Sequence, residues 1–423
     1  MQTFSEIIET RQDELLALAS KLIQFETPSP PARNTKEAQQ FIKNYLDEMN
    51  FVTDMWDLYP NDPNVVGVLK GTNTAHYHSM ILNGHVDVAS VDLANECWQS
   101  HPFSPVIKDG RLYGRGAADM KGGLACVLFA CKLLHEQQIK LPGDLIVEFV
   151  VGEEVGEAGT LSCCERGYQA DLAIVADTSN LEIQGQGGVV TGWITLKSKK
   201  TYHDATRRNM IHAGGGLQGA SMIEKMMKIL AGLQDLERHW AVHKSYDGFP
   251  YGTSTINPAV IEGGRHAAFV ADECRIWITV HFYPGETQED IVKEIEDHLH
   301  YVAMADMWLR DNPPIFAWGG KSMIEDRGEV FPSLAIDKDS AGVKLIQTHH
   351  RRVCEEDVKI SMSSSVNDGG WLGYKGIPTV IYGPGELMEA HAINESISIK
   401  QLTQYTNILM NIIYDWCHTK KER

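Results

Sequence analysis

The sequence predicts an α/β protein with a sheet covered by helices on both faces and a smaller α+β domain inserted into it. Strand-like apolar runs alternate with helical patterns at both ends of the chain, which is typical of such a sheet. Over the middle of the chain the pattern changes to short alternating strands and helices. The chain has 423 residues, which is too long for one typical core, so we expect two domains.

Helices in the first part of the chain are predicted where apolar residues recur at steps of three and four. This periodicity covers residues 4–25, 38–49 and 124–134. Short apolar runs that end near turn residues predict buried strands. These runs cover residues 79–82, 144–151 and 172–175.

The middle and the end of the chain set the domain limits. Alternating residues predict half-buried strands at 189–196 and 275–282, and helical patterns cover 219–233 and 289–302. The α/β pattern then returns, with a strand at 378–382 and a closing helix at 399–416. We therefore place one domain at 1–184 and 329–423, and the inserted domain at 185–328.

Composition narrows the class of protein. The net charge of -18 argues against a nucleic-acid partner, because phosphate binding needs a basic surface. The N-terminus lacks the features of a signal peptide, and no apolar stretch approaches the roughly 20 residues of a membrane span. Eight cysteines without paired spacing indicate reduced thiols. We expect a cytoplasmic protein without a membrane partner.

Polar residues follow several of the predicted strands. His85, Glu153, Glu154 and Asp177 each come after an apolar strand-like run. Because ligands bind at the carboxyl ends of strands in such sheets, these side chains are expected to converge. Each of them alone would be an ordinary turn or loop residue. Their joint occurrence at strand ends and glycine turns favours a shared site.

The residue types indicate a two-metal hydrolase. Two histidines, two aspartates and one glutamate could hold a pair of divalent ions, one carboxylate bridging them. One further glutamate then remains to accept a proton from water and return it to a leaving amine. Asp87, two residues after His85, is placed to accept the other imidazole N–H and orient the ring.

Four segments resemble the co-catalytic zinc amidohydrolases, which include acetylornithine deacetylase, succinyl-diaminopimelate desuccinylase, aminoacylase and carboxypeptidase G. These segments are 84–87, 110–123, the Glu153-Glu154 pair and 383–395. The resemblance covers nearly the whole chain. It implies a zinc-peptidase-like catalytic domain with a mixed sheet flanked by helices, and an inserted α+β domain that dimerises and acts as a lid.

The resemblance also implies a role for each metal ligand. His85, Asp119 and Asp177 would form one metal site. Glu154 and His391 would complete the other, with Asp119 shared as the bridge. Two divalent ions are therefore expected, zinc first, with cobalt or manganese as alternatives.

Other roles follow from the same resemblance. Glu153 would be the general base, Asp87 would orient His85, and the peptide bond after Asp119 would be cis. The inserted domain of the family donates a histidine to the partner subunit's active site. His203 best matches that residue, and His212 is the second candidate.

One segment departs from the acetylornithine-type pattern. Thr279 and His281 stand where that pattern has an aspartate and an arginine. Arg207, Arg208 and Arg265 are candidate substitutes for the missing guanidinium. The departure leaves the predicted reaction unchanged and puts the substrate in question.

The leading interpretation is a metal-dependent deacylase of a small N-acylated amino acid or amine. Within that class the expected reaction is deacetylation of N-acetylornithine in arginine biosynthesis. The alternatives on the same fold are a dipeptidase or carboxypeptidase, a succinyl-diaminopimelate desuccinylase, and a deformylase of an N-formyl aminopyrimidine. The missing arginine favours the last, because such a substrate has no carboxylate to bind. A catalytically inactive binding protein is the remote alternative.

Overall fold

The computed structural model describes residues 3–207 and 219–421. The chain divides into two compact units, Met1–Gln186 with Leu334–Arg423, and Gly187–Ser333. These limits lie within a few residues of the limits predicted above. The catalytic, lid and dimerisation roles given to the two domains stay predictions.

The described residues form ten helices of six residues or more. They are α1 (Phe4–Thr10), α2 (Gln12–Ile23), α3 (Lys36–Glu48), α4 (Gly122–Glu136), α5 (Gly159–Glu165), α6 (Met222–His243), α7 (Gln288–Met304), α8 (Ala341–Cys354), α9 (Gly369–Tyr374) and α10 (Ile399–His418). Shorter helical turns cover Ala117–Lys121, Glu153–Val155, Asp204–Thr206 and Leu309–Asp311.

The strands of the described residues are numbered along the chain. The first ten are β1 (Pro28–Ser29), β2 (Val52–Tyr59), β3 (Asp62–Leu69), β4 (Met80–His85), β5 (Val88–Ala89), β6 (Val106–Lys108), β7 (Arg111–Tyr113), β8 (Leu145–Val150), β9 (Leu172–Val175) and β10 (Ile183–Gln186). The others are β11 (Gly188–Lys197), β12 (Tyr202–His203), β13 (Thr255–Gly263), β14 (Phe269–Val270), β15 (Glu273–Phe282), β16 (Ile315–Trp318), β17 (Val330–Phe331), β18 (Ile360–Ser363), β19 (Thr379–Ile381) and β20 (Ser396–Ser398).

The first unit is built on an eight-stranded sheet of order β18-β10-β19-β9-β4-β8-β3-β2. Strands β8, β4, β9 and β19 run parallel, whereas β3 and β2 continue the sheet antiparallel. The sheet is therefore mixed, as the resemblance implied. Its parallel strands place four carboxyl ends at the same edge.

Both faces of this sheet are covered. Met80 and Leu82 of β4 belong to the large core that also contains α2, α4 and α10, whereas Ile81 faces a second core under α5 and α9. Every residue of β4 and β8 is buried. Burial on both faces explains why these strands appear in the sequence as continuous apolar runs.

The second unit is an antiparallel sheet with two long helices. Its order is β13-β15-β11-β16, and β17 also pairs with β11. Apolar residues of α6 and α7 pack against β11 and β15 around the buried Trp240. This is the α+β pattern predicted from the alternation in the sequence. Among residues 3–207 and 219–421, no helix is both long and apolar enough to span a bilayer.

Two elements differ from the prediction. The first helical pattern is interrupted at Arg11, whose φ of -114° and ψ of 20° end α1 before α2 begins. The Arg11 guanidinium binds Glu14 and Glu136 there, contacts that periodicity does not encode. The β2–β3 hairpin was not predicted. Strand β2 lies at the sheet edge with a register shift near Asp57, so its burial does not alternate cleanly.

Candidate active site

His85 ends β4 at the edge where the parallel strands finish. Its side chain is 1% exposed. Its Nδ1 lies 2.9 Å from the main-chain oxygen of Asp87. A carbonyl oxygen only accepts, so Nδ1 carries a proton. A neutral imidazole carries one ring proton, so with that proton on Nδ1 the lone pair of Nε2 is available to bind a cation. Nε2 lies 3.1 Å from the Asp119 carboxylate.

The Asp87 carboxylate differs from the prediction. Its Oδ1 lies 3.8 Å from His85 Nδ1, too far for a hydrogen bond. It accepts instead the N–H groups of Gly152, at 2.9 Å, and Glu154, at 3.1 Å. Asp87 therefore orients His85 through its main-chain carbonyl and uses its side chain to hold the turn after β8.

That turn carries the two adjacent glutamates. Residues Glu153–Val155 form a short helical turn between Gly152, with φ of 84°, and Gly156, with φ of 66°. Both angles are in the left-handed region, where glycine is favoured. A Cβ at Gly152 would also lie 2.4 Å from the Glu157 Cβ. The glycines therefore allow β8 to end sharply and present both carboxylates at the sheet edge.

Asp119 lies between the two histidines. Its Oδ1 is 3.1 Å from His85 Nε2, and its Oδ2 is 3.4 Å from His391 Nε2. His391 Nε2 also lies 2.8 Å from Glu154 Oε2. The bond between Asp119 and Met120 is cis, as the resemblance implied. One oxygen of the Asp119 carboxylate thus faces each imidazole, which is the arrangement of a bridging ligand.

Asp177 follows β9 and belongs to the same cluster of charges. It is 5% exposed, and its Oδ1 accepts the N–H of Thr178 at 2.6 Å. Burial and the nearby Asp119 carboxylate raise the pKa of Asp177 to about 6, although His85 opposes the shift. The structure thus brings all five predicted ligands and Glu153 to one end of the sheet.

The titration behaviour shows how crowded the carboxylates are. Burial raises the pKa of Glu153 well above its usual value, and Glu154 and Asp177 add to the effect against His85. Burial and the Asp119 carboxylate raise the pKa of Glu154 to about 7. Hydrogen bonds to Asp119 and Glu154 raise the pKa of His391 to about 10. Four acidic groups thus lie close to two imidazoles, of which His85 is buried and His391 is exposed.

This donor set fits a divalent metal ion. One ligand atom each from His85, Asp119 and Glu154 lies within 4.8 Å of the other two. The Glu154 Oε1 atom is buried without a hydrogen-bond partner among the described residues, although such an atom ordinarily has one. Imidazole nitrogens and carboxylate oxygens are the ligands that zinc accepts. The 58% exposed side chain of His391 leaves one side of the cluster open.

Two residues without a predicted role connect the Asp119 and His391 segments. The buried Glu395 carboxylate accepts the N–H groups of Ala118, at 2.8 Å, and Asp119, at 3.0 Å. Arg115 binds Glu395 at 2.7 Å and donates to the His391 main-chain oxygen at 3.3 Å. Both residues occur in the segments that carry the resemblance. The sequence offers no reason to pair them, because they are 280 positions apart.

Asp368, at the start of α9, is a third residue that sequence reasoning missed. It is 2% exposed, and its Oδ2 atom has no hydrogen-bond partner among the described residues. Burial raises its pKa to about 7 against the opposing effect of His85. Its carboxyl in turn contributes to the raised pKa of Glu153. In the sequence, the surrounding Asn-Asp-Gly-Gly stretch has the composition of a turn.

The predicted partner-site histidine lies in the second unit. His203 ends β12 with a 63% exposed side chain, 2.8 Å from an Asp204 oxygen. His212 and Arg208 lie outside the described residues. Arg207 binds Glu224, and Arg265 binds Asp272 at 2.8 Å. Both described arginines proposed as substitutes are therefore already paired with carboxylates.

Comparisons with known proteins agree with this geometry. Residues 81–415 match the model of peptidase family M20/M25/M40. An N-formyl-4-amino-5-aminomethyl-2-methylpyrimidine deformylase from Bacillus subtilis (strain 168) is 61% identical over 416 residues, covering 98% of this chain and 97% of the relative. An acetylornithine deacetylase from Myxococcus xanthus is 26% identical over 356 residues, covering 84% of each.

A solved structure has the same fold. The dinuclear metal-binding M20 peptidase from Bacillus subtilis matches with a TM-score of 0.65 and 16% identity, covering 96% of this chain and 99% of that one. The family model covers most of the chain, and the described site contains the ligand types that a metal needs. The chain therefore belongs to peptidase family M20/M25/M40 and is a metal-dependent amidohydrolase.

Proposed function

We propose that this protein removes the formyl group from an N-formyl aminomethylpyrimidine, releasing formate and the primary amine. The observation that carries the proposal is the 61% identity, over nearly the full length of both chains, to the Bacillus subtilis deformylase. N-acetylornithine deacetylation, the leading interpretation from the sequence, has weaker support, because that relative is only 26% identical. The comparisons thus favour the alternative over the leading interpretation, and the arginine-biosynthesis role is not retained.

The departure at Thr279 and His281 supports the same proposal. The acetylornithine-type pattern has an arginine at the second of these positions, and an N-acyl amino acid offers a carboxylate for it to bind. A formylated aminopyrimidine has no carboxylate. Loss of the arginine therefore removes nothing that the proposed substrate needs.

The reaction is hydrolysis of one amide bond. Water adds to the formyl carbon, the C–N bond breaks, and the nitrogen leaves as an amine after receiving a proton. His85, Asp119, Asp177, Glu154 and His391 would hold two divalent ions, zinc first, as ligands. Such ions polarise the carbonyl and lower the pKa of water.

Glu153 moves the proton in this proposal. Its side chain is 12% exposed, and its Oε2 lies 3.8 Å from His85 Nε2, next to the ligands. A buried carboxylate with a raised pKa is a better proton acceptor than an exposed one. Glu153 takes the proton from the attacking water and gives it to the leaving nitrogen. The Asp87 carboxylate holds the turn that sets the position of Glu153.

A substrate panel tests the proposed function. The purified protein with added Zn²⁺ or Co²⁺ is given N-formyl-4-amino-5-aminomethyl-2-methylpyrimidine, N-acetylornithine, N-succinyl-diaminopimelate and dipeptides. We expect kcat/KM for the formylated pyrimidine to exceed that of every other compound by about 100-fold or more, because a pocket fitted to an aromatic amine leaves polar groups unpaired with the others. Formate release is measured directly. Faster turnover of N-acetylornithine would reverse the assignment.

We also propose a homodimer in which His203 supports the partner subunit's reaction by stabilising charge on the carbonyl oxygen. Replacing His203 by alanine is expected to lower kcat about 100-fold without changing metal content or thermal stability. His266 provides a matched control. It is exposed and its Nδ1 accepts the N–H of Ala268, as His203 Nδ1 accepts that of Ala205. Wild-type kinetics in His203→Ala would assign the role to His212 or to no donated histidine.

A further inference from the structure

An ion pair with a fully buried carboxylate lies next to the turn that carries the two glutamates. Arg33 Nη2 is 2.6 Å from Glu157 Oε1, and Arg33 Nη1 is 2.7 Å from Glu157 Oε2. The Glu157 side chain is 0% exposed. The two parallel hydrogen bonds fix both the position and the plane of the carboxylate, which a lysine could not do.

Arg33 is itself held from several sides. Its main-chain N–H donates to Asp62 Oδ2 at 2.6 Å, and its Nη1 reaches the same oxygen at 3.1 Å. Its guanidinium carbon lies 3.9 Å from the centre of the Tyr59 ring. The N–H groups of Asn34 and Thr35 also donate to Asp62. The guanidinium is therefore held on the β2–β3 hairpin by contacts that do not involve Glu157.

Glu157 connects Arg33 to the turn that contains Glu153 and Glu154. Its main-chain N–H donates to the Gly152 oxygen at 2.7 Å and closes the loop that contains Glu153 and Glu154. Its Cβ occupies the space that a side chain at Gly152 would need. The Asp87 carboxylate holds the same loop from the other side, through the N–H groups of Gly152 and Glu154.

We propose that Arg33 is a positioning residue, which sets the place of Glu153 and Glu154 by clamping Glu157. A buried ion pair is weak grounds for stability, because desolvation offsets most of the attraction. A bidentate pair can instead fix the position of the turn relative to the hairpin. Residues that hold metal ligands in place are known to change metal affinity and activity when they are replaced. The inference rests on the proposed function, in which Glu154 is a ligand and Glu153 the base.

Two variants of the full chain test the positioning role of Arg33. Arg33→Lys keeps the charge and loses the paired geometry. The double variant Arg33→Met with Glu157→Leu removes both charges of the pair, while Asp62 keeps the main-chain N–H groups of residues 33–35 as hydrogen-bond donors. Each chelator-treated protein is titrated with Co²⁺, and the visible absorption of the bound ion is followed. We expect both variants to bind at least one equivalent about 10-fold more weakly, with a shifted pH profile of kcat/KM.

An ion pair of similar burial supplies the control. Lys225 lies 2.8 Å from Asp306 in the second unit, with 21% and 4% exposed side chains, against 20% and 0% for Arg33 and Glu157. Lys225→Met is expected to change thermal stability alone. Wild-type cobalt affinity and pH profile in the double variant would overturn the proposal, and so would an equal loss of affinity in Lys225→Met. Cobalt binding needs no substrate, so it still tests the clamp if the deformylase assignment fails.

Discussion

Replacing Glu153 by glutamine is expected to lower kcat for formate release by about 1000-fold, while the metal content of the protein stays unchanged. Glutamine has almost the same size and keeps a carbonyl oxygen, but it cannot accept the proton from water. General base catalysis by a positioned carboxylate contributes rate factors of about this size. Glu153 is not one of the proposed ligands, so the ligand set remains complete. Steady-state kinetics and metal analysis of the same preparation measure both parts.

Glu148 provides the matched control for this prediction. It is a buried glutamate in β8, 1% exposed, and burial raises its pKa to about 8. Its Oε2 accepts a hydrogen bond from Asn83 at 2.9 Å, and a glutamine there keeps the accepting oxygen. We therefore expect Glu148→Gln to retain turnover. If Glu153→Gln retained turnover as well, Glu153 could not be the base.

Replacing Asp119 by alanine is expected to remove both metal ions and all measurable turnover. The two oxygens of this carboxylate face His85 and His391, so a single substitution takes a ligand from both sites. Removing it leaves the remaining ligands without the shared charge that holds two cations close together. Metal analysis after gel filtration should give less than one ion per chain.

A variant at Asp171 is the control that distinguishes misfolding of Asp119→Ala from the loss of a metal ligand. It precedes β9 and accepts the N–H of Ser79 at 2.7 Å, at the opposite end of the strand from Asp177. Asp171→Ala should lose some thermal stability and keep its metal. Two ions per chain in a folded Asp119→Ala protein would contradict the bridging role.

The strand ends of the site could be predicted because they depend on local patterns. Residues 80–82 and 172–175 are apolar throughout, since a sheet that is covered on both faces buries every position. The polar residues that follow them, among them His85 and Asp177, are then expected at one edge of a parallel sheet. The structure places these side chains there, together with Glu153 and Glu154.

Other features of the structure could not be predicted, because no pattern of neighbouring residues in the sequence indicates them. Arg11 separates α1 from α2, although its surroundings are periodic enough for one continuous helix. Strand β2 is an edge strand without clean alternation, so its pattern did not stand out. The motifs also could not identify the substrate. They contain the predicted metal ligands and indicate amide hydrolysis, which the related hydrolases have in common.

The α/β class, the inserted α+β segment, the residue types of a candidate metal site and amide hydrolysis as the class of reaction could all be predicted from the sequence alone. Periodicity and short motifs carry this information, because burial and turns act over neighbouring residues. The contacts between distant groups that hold the site together are visible in the folded structure alone. Glu395 reaches the Asp119 segment, Arg33 reaches Glu157 and the Asp87 carboxylate turns to the loop after β8. Such contacts depend on how the chain returns through space, which no local pattern records.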